Sequence, residues 1–138
     1  MPGKALDEIH VGDCYGESVE LTTDRVDAFS ALTGDFTGVH VDGGLPDQWG
    51  YSGRIVHGFL VSSFFSKILG TELPGARAVI GSVSFQFHAP VYVGEIVDFG
   101  VEVKRVLAPL RSVQLDMTVD NRAGARCVSG KATCVYPK

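Results

Sequence analysis

Cysteine is scarce in this 138-residue sequence, and the three that occur, Cys14, Cys127 and Cys134, stand far apart. An odd, scattered set is not the disulfide framework of a small secreted domain, and no pair has the spacing of a zinc knuckle or a redox CxxC motif. Apolar runs are also short. None approaches the roughly 18 residues of a membrane span, and the first ten residues lack the apolar stretch of a signal peptide. We therefore expect a cytoplasmic protein with reduced thiols and no membrane partner.

Several chemical signatures are missing as well. The net charge is −4 and basic residues form no run or stripe, which disfavours nucleic acid as a partner. No GxGxxG follows a strand, no Walker lysine occurs, and there is no GxSxG elbow. Dinucleotide binding, phosphate-loop chemistry and α/β-hydrolase esterase chemistry are therefore disfavoured.

What is present is the composition of a globular protein, with 45% hydrophobic and 20% charged residues. A chain of 138 residues can bury a sizeable core, and no repeat, linker or low-complexity tract divides it. We expect one domain over residues 1–138.

The first quarter of the chain predicts a strand and a helix. Residues 12–21 contain a short alternating stretch that is typical of a strand. The helix that follows can be capped by Thr22 or Thr23, and Gly34 is well placed to end it.

A second helix is predicted over residues 57–70, which are apolar nearly all round. Such a helix is typically buried, and Gly70 is placed to end it. Residues 35–56, between the two helices, are rich in glycine, aspartate and proline and predict a long, partly irregular connection. Loops of this length in compact domains are often functional.

The remainder of the chain predicts an antiparallel sheet. Alternating, β-branched and aromatic segments occur in four stretches, at 76–94, 95–107, 112–121 and 125–136. The tetrapeptide NRAG, 121–124, is a plausible hairpin turn between the last two. This order of elements predicts an α+β fold in which one face of the sheet packs on the central helix.

Asp35 and His40 are the most suggestive polar residues of the long connection. On a loop folded over a helix end, a carboxylate and an imidazole five residues apart can hold one water between them as a general acid–base pair. The alternative from the residues alone is that Asp35 caps the helix end and His40 lies on the surface.

Gly58 and Ser62 lie at the start of the second predicted helix. The N–H groups there have no partner within the helix, so they could hold an oxygen that carries partial negative charge, and glycine would permit a close approach. Gly58 could equally be a simple glycine near a helix cap. The Ser62 hydroxyl could face the site or bond back to the preceding turn of the helix.

A metal site is disfavoured by the spacing of the available ligands. Asp35, His40, Asp42 and His57 could be considered, but their spacing matches no known zinc pattern and no cysteine is near. We expect no metal. We assign no catalytic role to His88, and Asp42 is expected to support the loop.

Taken in order, the motifs resemble those of the MaoC-like hydratase/dehydratase family, which includes (R)-specific enoyl-CoA hydratases. The family's D-x-N-P-x-H-x-D loop stands here as DFTGVHVD, and its R-x-x-H-G motif with a long apolar helix as RIVHGFLVSSFFSKILG. Further matches are LPG at 73–75, SFQFHAPVYVGEIV at 84–97 and DNRAGARCVSGKATCVYP at 120–137. The resemblance covers nearly the whole chain.

This resemblance implies a hot-dog fold, a long central helix wrapped by an antiparallel sheet, and a homodimer. It implies a hydro-lyase that adds water to an enoyl thioester, or removes it from a 3-hydroxyacyl thioester, of coenzyme A or an acyl carrier protein. Asp35 and His40 would be the catalytic pair, and the Gly58 N–H would form the oxyanion hole. No cofactor is implied, because the thioester is the substrate.

Two features of the sequence leave the substrate preference undetermined. Thr37 and Gly38 replace the Asn-Pro of the family loop, and glycine loosens the turn that aims the catalytic side chains. Trp49 and Tyr51 could shape the mouth of an acyl tunnel or merely anchor the loop.

Two other functions remain possible at this point. A thioesterase of the same fold would also use an acid and a helix N-terminus but would release free thiol. A non-catalytic acyl-binding subunit of a heterodimeric dehydratase would bind a thioester without turnover.

Overall fold

The computed structural model of the chain describes residues 3–41 and 48–138. Its helices and strands are β1 (Cys14–Glu20), α1 (Thr23–Thr33), α2 (Gly38–Val41), α3 (Gly58–Lys67), β2 (Val79–Phe87), β3 (Ile96–Leu107), β4 (Ser112–Asn121) and β5 (Arg126–Val135). Short 3-10 turns lie at Leu6–Glu8 and Ala108–Leu110, and a π-helical turn, Ile68–Glu72, continues α3. Among the described residues no helix is long and apolar enough to cross a membrane.

The five strands form one antiparallel sheet in the order β1-β3-β4-β5-β2. Along β3 and β4 buried and more exposed residues alternate, which is the signature of a sheet with one face on the core. That face packs against α3, where the Phe65 ring lies 5.2 Å from the Phe99 ring and 5.7 Å from the Phe85 ring, centroid to centroid. The predicted α+β arrangement, with a sheet against a central helix, is present.

α1 begins and ends as its sequence predicts. The Thr22 hydroxyl oxygen accepts a hydrogen bond from the Arg25 N–H at 3.2 Å and so caps the helix. Gly34 follows the last turn in a left-handed conformation, φ 80°, and its N–H donates to the carbonyl of Ser30 at 2.8 Å. These caps place residue 35 at a fixed point beside the helix end.

The second helix has the predicted buried face but not the predicted end. Gly70 does not end it, because the helical path continues through Glu72 and the Leu73 N–H closes the wider turn on the carbonyl of Ile68. The turn keeps Ile68 within the core. The helix is also not buried on every side, since Phe59 is 80% exposed.

Within the described part of the connection over 35–56 lies the short helix α2. Two main-chain hydrogen bonds hold the end of the connection: the Ile55 N–H donates to the carbonyl of Val39, and the Val56 N–H donates to that of Val91.

The predicted NRAG hairpin turn is present, with the Asn121 side-chain oxygen accepting two main-chain N–H groups that follow it. Asp42 lies outside the described residues, so its expected role in the loop is not described.

Candidate active site

Asp35, His40 and His57 meet where α1 ends and α3 begins. Each offers a carboxylate oxygen or a ring nitrogen, and the three atoms all lie within 4.8 Å of one another. Asp35 and His40 are half-buried, whereas His57 is buried at 2% exposure. The fold thus brings together the two side chains that the loop motif singles out, and it adds a third.

The Asp35 carboxylate is held by Thr37. Its Oδ1 accepts the Thr37 hydroxyl at 2.6 Å and the Thr37 main-chain N–H at 3.0 Å. These two hydrogen bonds, with the hydroxyl as the larger cause, lower the pKa of Asp35 below its ordinary value. Asp35 is therefore ionised at neutral pH and can accept a proton.

His40 lies in α2, and its Nδ1 is 2.7 Å from the main-chain oxygen of Ile55. A carbonyl oxygen can only accept, so Nδ1 carries the proton in this contact and the neutral ring presents an unprotonated Nε2. Arg54 braces the same turn, since its Nε donates to the His40 carbonyl at 2.9 Å while a terminal nitrogen pairs with Asp27 at 3.0 Å. The Ile55 carbonyl thus fixes one end of the imidazole.

His57 is the site residue that the sequence analysis missed, having considered it only as a metal ligand. Its ring stacks on that of His40, with centroids 4.0 Å apart and planes 26° apart. Burial is the main cause that lowers the pKa of His57, so its ring is neutral at neutral pH. The sequence does contain one signal that points to His57: it stands directly before a buried apolar helix, and a residue at that junction is drawn into the core.

A cavity of about 300 Å³ opens beside His40 and the N-terminus of α3. Tyr51, Phe87 and His88 contribute to its wall. This volume is at the lower end of the range for small-molecule sites and accommodates a small organic group.

Gly58 is the first residue of α3 and lines the same cavity. The N–H of a first helical residue has no partner within the helix, and the helix dipole makes that end attractive to a partial negative charge. A Cβ on Gly58 would lie 3.0 Å from Cε1 of Phe87, which is closer than real Cβ contacts normally come. The absence of a side chain therefore keeps the space in front of the helix end open.

A family model, described as "MaoC like domain", matches residues 11–124 of the chain. The chain belongs to the MaoC-like domain family. This confirms the resemblance that the loop and helix motifs carry.

Curated relatives of this MaoC-like chain are hydratases and dehydratases. It is 35% identical over 113 residues to the (R)-specific enoyl-CoA hydratase of Aeromonas caviae, covering 82% of this chain and 84% of that protein. It is 34% identical over 113 residues to the 3-hydroxybutyryl-CoA dehydratase of Methylorubrum extorquens, covering 82% of this chain and 72% of that one.

The fold agrees with solved structures of the same family. The (R)-hydratase of A. caviae superposes with a TM-score of 0.89 at 32% identity, covering 94% of this chain and 98% of that chain. An R-hydratase from Pseudomonas aeruginosa superposes with a TM-score of 0.90 at 27% identity, covering 99% and 87%. The predicted hot-dog fold is confirmed.

The structure also shows where the predicted substrate-binding residues Ser62, Tyr51 and Trp49 lie. The Ser62 hydroxyl is buried and donates to the carbonyl of Phe59 at 3.1 Å, so it bonds back to the preceding turn. Tyr51 lines the cavity and is 38% exposed, whereas Trp49 is 58% exposed. The substrate-binding roles of all three stay predictions.

The cluster of Asp35, His40 and His57 has the residue types of a metal site. The three candidate ligand atoms lie within 4.8 Å of one another, and the spacing of the three residues along the chain matches no known zinc pattern. The expectation of no metal stays a prediction. His88 bonds the Ser129 hydroxyl at 2.7 Å through Nε2.

Proposed function

We propose that this chain is an (R)-specific hydratase/dehydratase that adds water to an enoyl thioester of coenzyme A or an acyl carrier protein, or removes it from the 3-hydroxyacyl thioester. The convergence of the Asp35 carboxylate and the His40 ring beside the N-terminus of α3 carries the proposal. The names of the curated relatives support the same reaction and its stereochemistry.

The catalytic roles follow from the lowered pKa of Asp35 and from the hydrogen bond between His40 Nδ1 and Ile55. Asp35, ionised at neutral pH, accepts a proton from water as the water oxygen bonds to C3 of the enoyl thioester. The unprotonated Nε2 of His40 accepts a hydrogen bond from the same water and holds it in place. One carboxylate and one imidazole are therefore sufficient to bind and deprotonate the water.

The electrons of the double bond move onto the thioester oxygen in this step. The Gly58 N–H and the positive end of the α3 dipole stabilise the resulting enolate oxygen. The proton taken from water, held by the Asp35–His40 pair, then bonds to C2, so both side chains return to their starting states. Dehydration is the reverse sequence.

We also propose a homodimer, and the edge strand β2 supports it. Val79, Ile80, Val83 and Phe87 of that strand are between 43% and 57% exposed, which is unusual for four large apolar residues on an unpaired sheet edge. A second copy covering this edge would remove these four side chains from water.

We further propose that residues 1–138 act as one domain in the cytoplasm.

The proposed function is tested by hydration of crotonyl-CoA, followed as loss of enoyl-thioester absorbance, in wild type and Asp35→Asn. The amide keeps the size of the side chain but cannot accept the proton, so we expect a fall in kcat/KM of roughly 10²- to 10⁴-fold. Asp7→Asn, at an exposed aspartate in the N-terminal 3-10 turn, is the matched control and should keep wild-type activity.

A thiol-reactive dye in the same assay separates hydration from thioester cleavage. Release of free coenzyme A in place of hydration would replace the proposal by a thioesterase. Binding of the thioester with neither reaction would favour the non-catalytic partner subunit, and undiminished hydration by Asp35→Asn would remove Asp35 from the mechanism.

A further inference from the structure

His57 is buried at the point where four segments of the chain meet. It is the residue directly before α3, and its Nε2 lies 3.1 Å from the Ser30 hydroxyl oxygen of α1 and 3.1 Å from the main-chain oxygen of Asp35. One face of its ring stacks on His40 of α2. The Phe29 ring of α1 packs at a tilt, 4.8 Å away between centroids. A single side chain therefore contacts the segments that carry both proposed catalytic groups.

The contacts of His57 determine which ring nitrogen carries the proton. The main-chain oxygen of Asp35 can only accept, so Nε2 is the protonated nitrogen and donates to it. Nδ1 then carries a lone pair, and within 3–41 and 48–138 that buried atom has no hydrogen-bond partner. A buried polar atom without a partner lowers stability, so packing alone would favour an apolar ring here.

We propose that His57 is a positioning residue, which fixes the Asp35 main chain through its Nε2–H and supports the His40 ring through its face. Among residues 3–41 and 48–138, Thr37 bonds the Asp35 carboxylate and Ile55 bonds one nitrogen of the His40 ring. Thr37 also contacts both residues, through its hydroxyl and its main-chain oxygen, but of the two it is His57 that touches the His40 ring. It thereby sets their separation, and this role rests on the proposed hydratase function.

Two substitutions separate the hydrogen bond from the stacking contact. His57→Gln keeps an N–H donor near the position of Nε2 but removes the ring, whereas His57→Phe keeps a ring for His40 to stack on but removes the donor. We expect kcat for crotonyl-CoA hydration to fall about 10- to 100-fold in His57→Phe with KM within about twofold of wild type, because a displaced catalytic group slows the chemical step more than binding. His57→Gln should recover part of the kcat lost in His57→Phe.

His10→Phe and His10→Gln are matched controls, because His10 is exposed and lies outside the site. Both should keep wild-type kcat and KM. An unchanged kcat in both His57 variants, or a loss that appears wholly in KM, would overturn the positioning role.

Amide hydrogen exchange gives a readout that needs no turnover. The His40 N–H donates to the carbonyl of Thr37 at 2.9 Å, within the segment that His57 supports. We expect this amide to exchange faster in His57→Phe than in wild type, with the core strand β4 unchanged. Equal exchange at residue 40 would refute the inference even if crotonyl-CoA proved not to be a substrate, whereas absent turnover with faster exchange would count against the proposed function alone.

Ser30→Ala is the second variant to measure if His57→Phe does not fold. It removes one partner of Nε2 and leaves His57 in place, and it should shift exchange at residue 40 in the same direction.

Discussion

Thr37 and Gly38 occupy the positions of the asparagine and proline in the family motif. The Thr37 hydroxyl donates to the carboxylate of Asp35, which stands two positions earlier in the chain, and so fixes that group. Gly38 is the first residue of α2, where a proline is also favoured because the N–H there has no partner within the helix. Where the family motif has asparagine and proline, this loop therefore has a side-chain hydrogen bond to Asp35 and the start of a helix.

The hydroxyl of Thr37 should influence the pH dependence of the reaction. It is the largest cause of the lowered pKa of Asp35, so Thr37→Val should raise that pKa toward the ordinary value. Because the base must be ionised, the acidic limb of the kcat/KM profile should move to higher pH, while activity well above the limb changes little. The measurement is kcat/KM against pH for crotonyl-CoA hydration.

Thr37→Ser is the matched control for this prediction, since serine keeps the hydroxyl and loses only the methyl group. Its acidic limb should coincide with that of wild type. A limb that stays in place in Thr37→Val, or that moves to lower pH, would show that the hydroxyl does not set the ionisation of the base.

At the level of elements, the N-terminus of α3 depends on the space in front of it. Gly58→Ala keeps the N–H but places a Cβ 3.0 Å from the Phe87 ring, inside the cavity. We expect kcat/KM for hydration to fall on the order of 10²-fold, because the thioester oxygen can no longer approach the helix end closely. Thermal unfolding should change much less, since the added Cβ meets one side-chain ring and no main-chain atom.

A double variant distinguishes the two ways in which the added methyl group could act. Phe87→Ala removes the ring that the methyl group would contact, so Gly58→Ala/Phe87→Ala relieves any clash within the protein. If the methyl group blocks the substrate, as we expect, removing the ring restores nothing. The kcat/KM of the double variant is then no higher than the value obtained by multiplying the fold losses of the two single variants. Restored activity would instead place the defect in the contact between α3 and β2.

At the level of the whole molecule, the apolar edge of β2 predicts self-association. Val83→Asp places a charge in the middle of the exposed apolar row and should convert a dimer to a monomer, because burying an unpaired carboxylate is strongly unfavourable. Size-exclusion chromatography with light scattering measures the mass directly. Leu110→Asp is the matched control, since Leu110 is 68% exposed in the 3-10 turn between β3 and β4.

The edge strand also joins the proposed interface to the site. Phe87 is the last residue of β2 and lines the cavity together with Gly58. A partner that covers β2 would therefore close one side of the cavity, and a monomeric Val83→Asp should lose hydration as well. A wild-type protein that is monomeric at micromolar concentration, or a Val83→Asp variant that stays dimeric, would contradict this interface.

The local features of this protein could be predicted from its sequence. The Thr22 and Gly34 caps, the strand segments and the NRAG turn depend on residues a few positions apart, and the structure has all of them. The family and the hot-dog fold were also predicted correctly, from motifs that keep their order along the chain. Asp35, His40 and Gly58 were singled out because their motif is local.

The long-range contacts could not be predicted in this way. The stack of His57 on His40, the bond from His57 to Asp35 and the approach of Phe87 to Gly58 join residues 17 to 29 positions apart, and no local pattern encodes such distances. The end of α3 was missed for a related reason: burial of Ile68 and Leu69 against the sheet carries the helical path past Gly70. Propensity and capping act within one or two turns of a helix, whereas burial depends on which distant residues the fold places alongside.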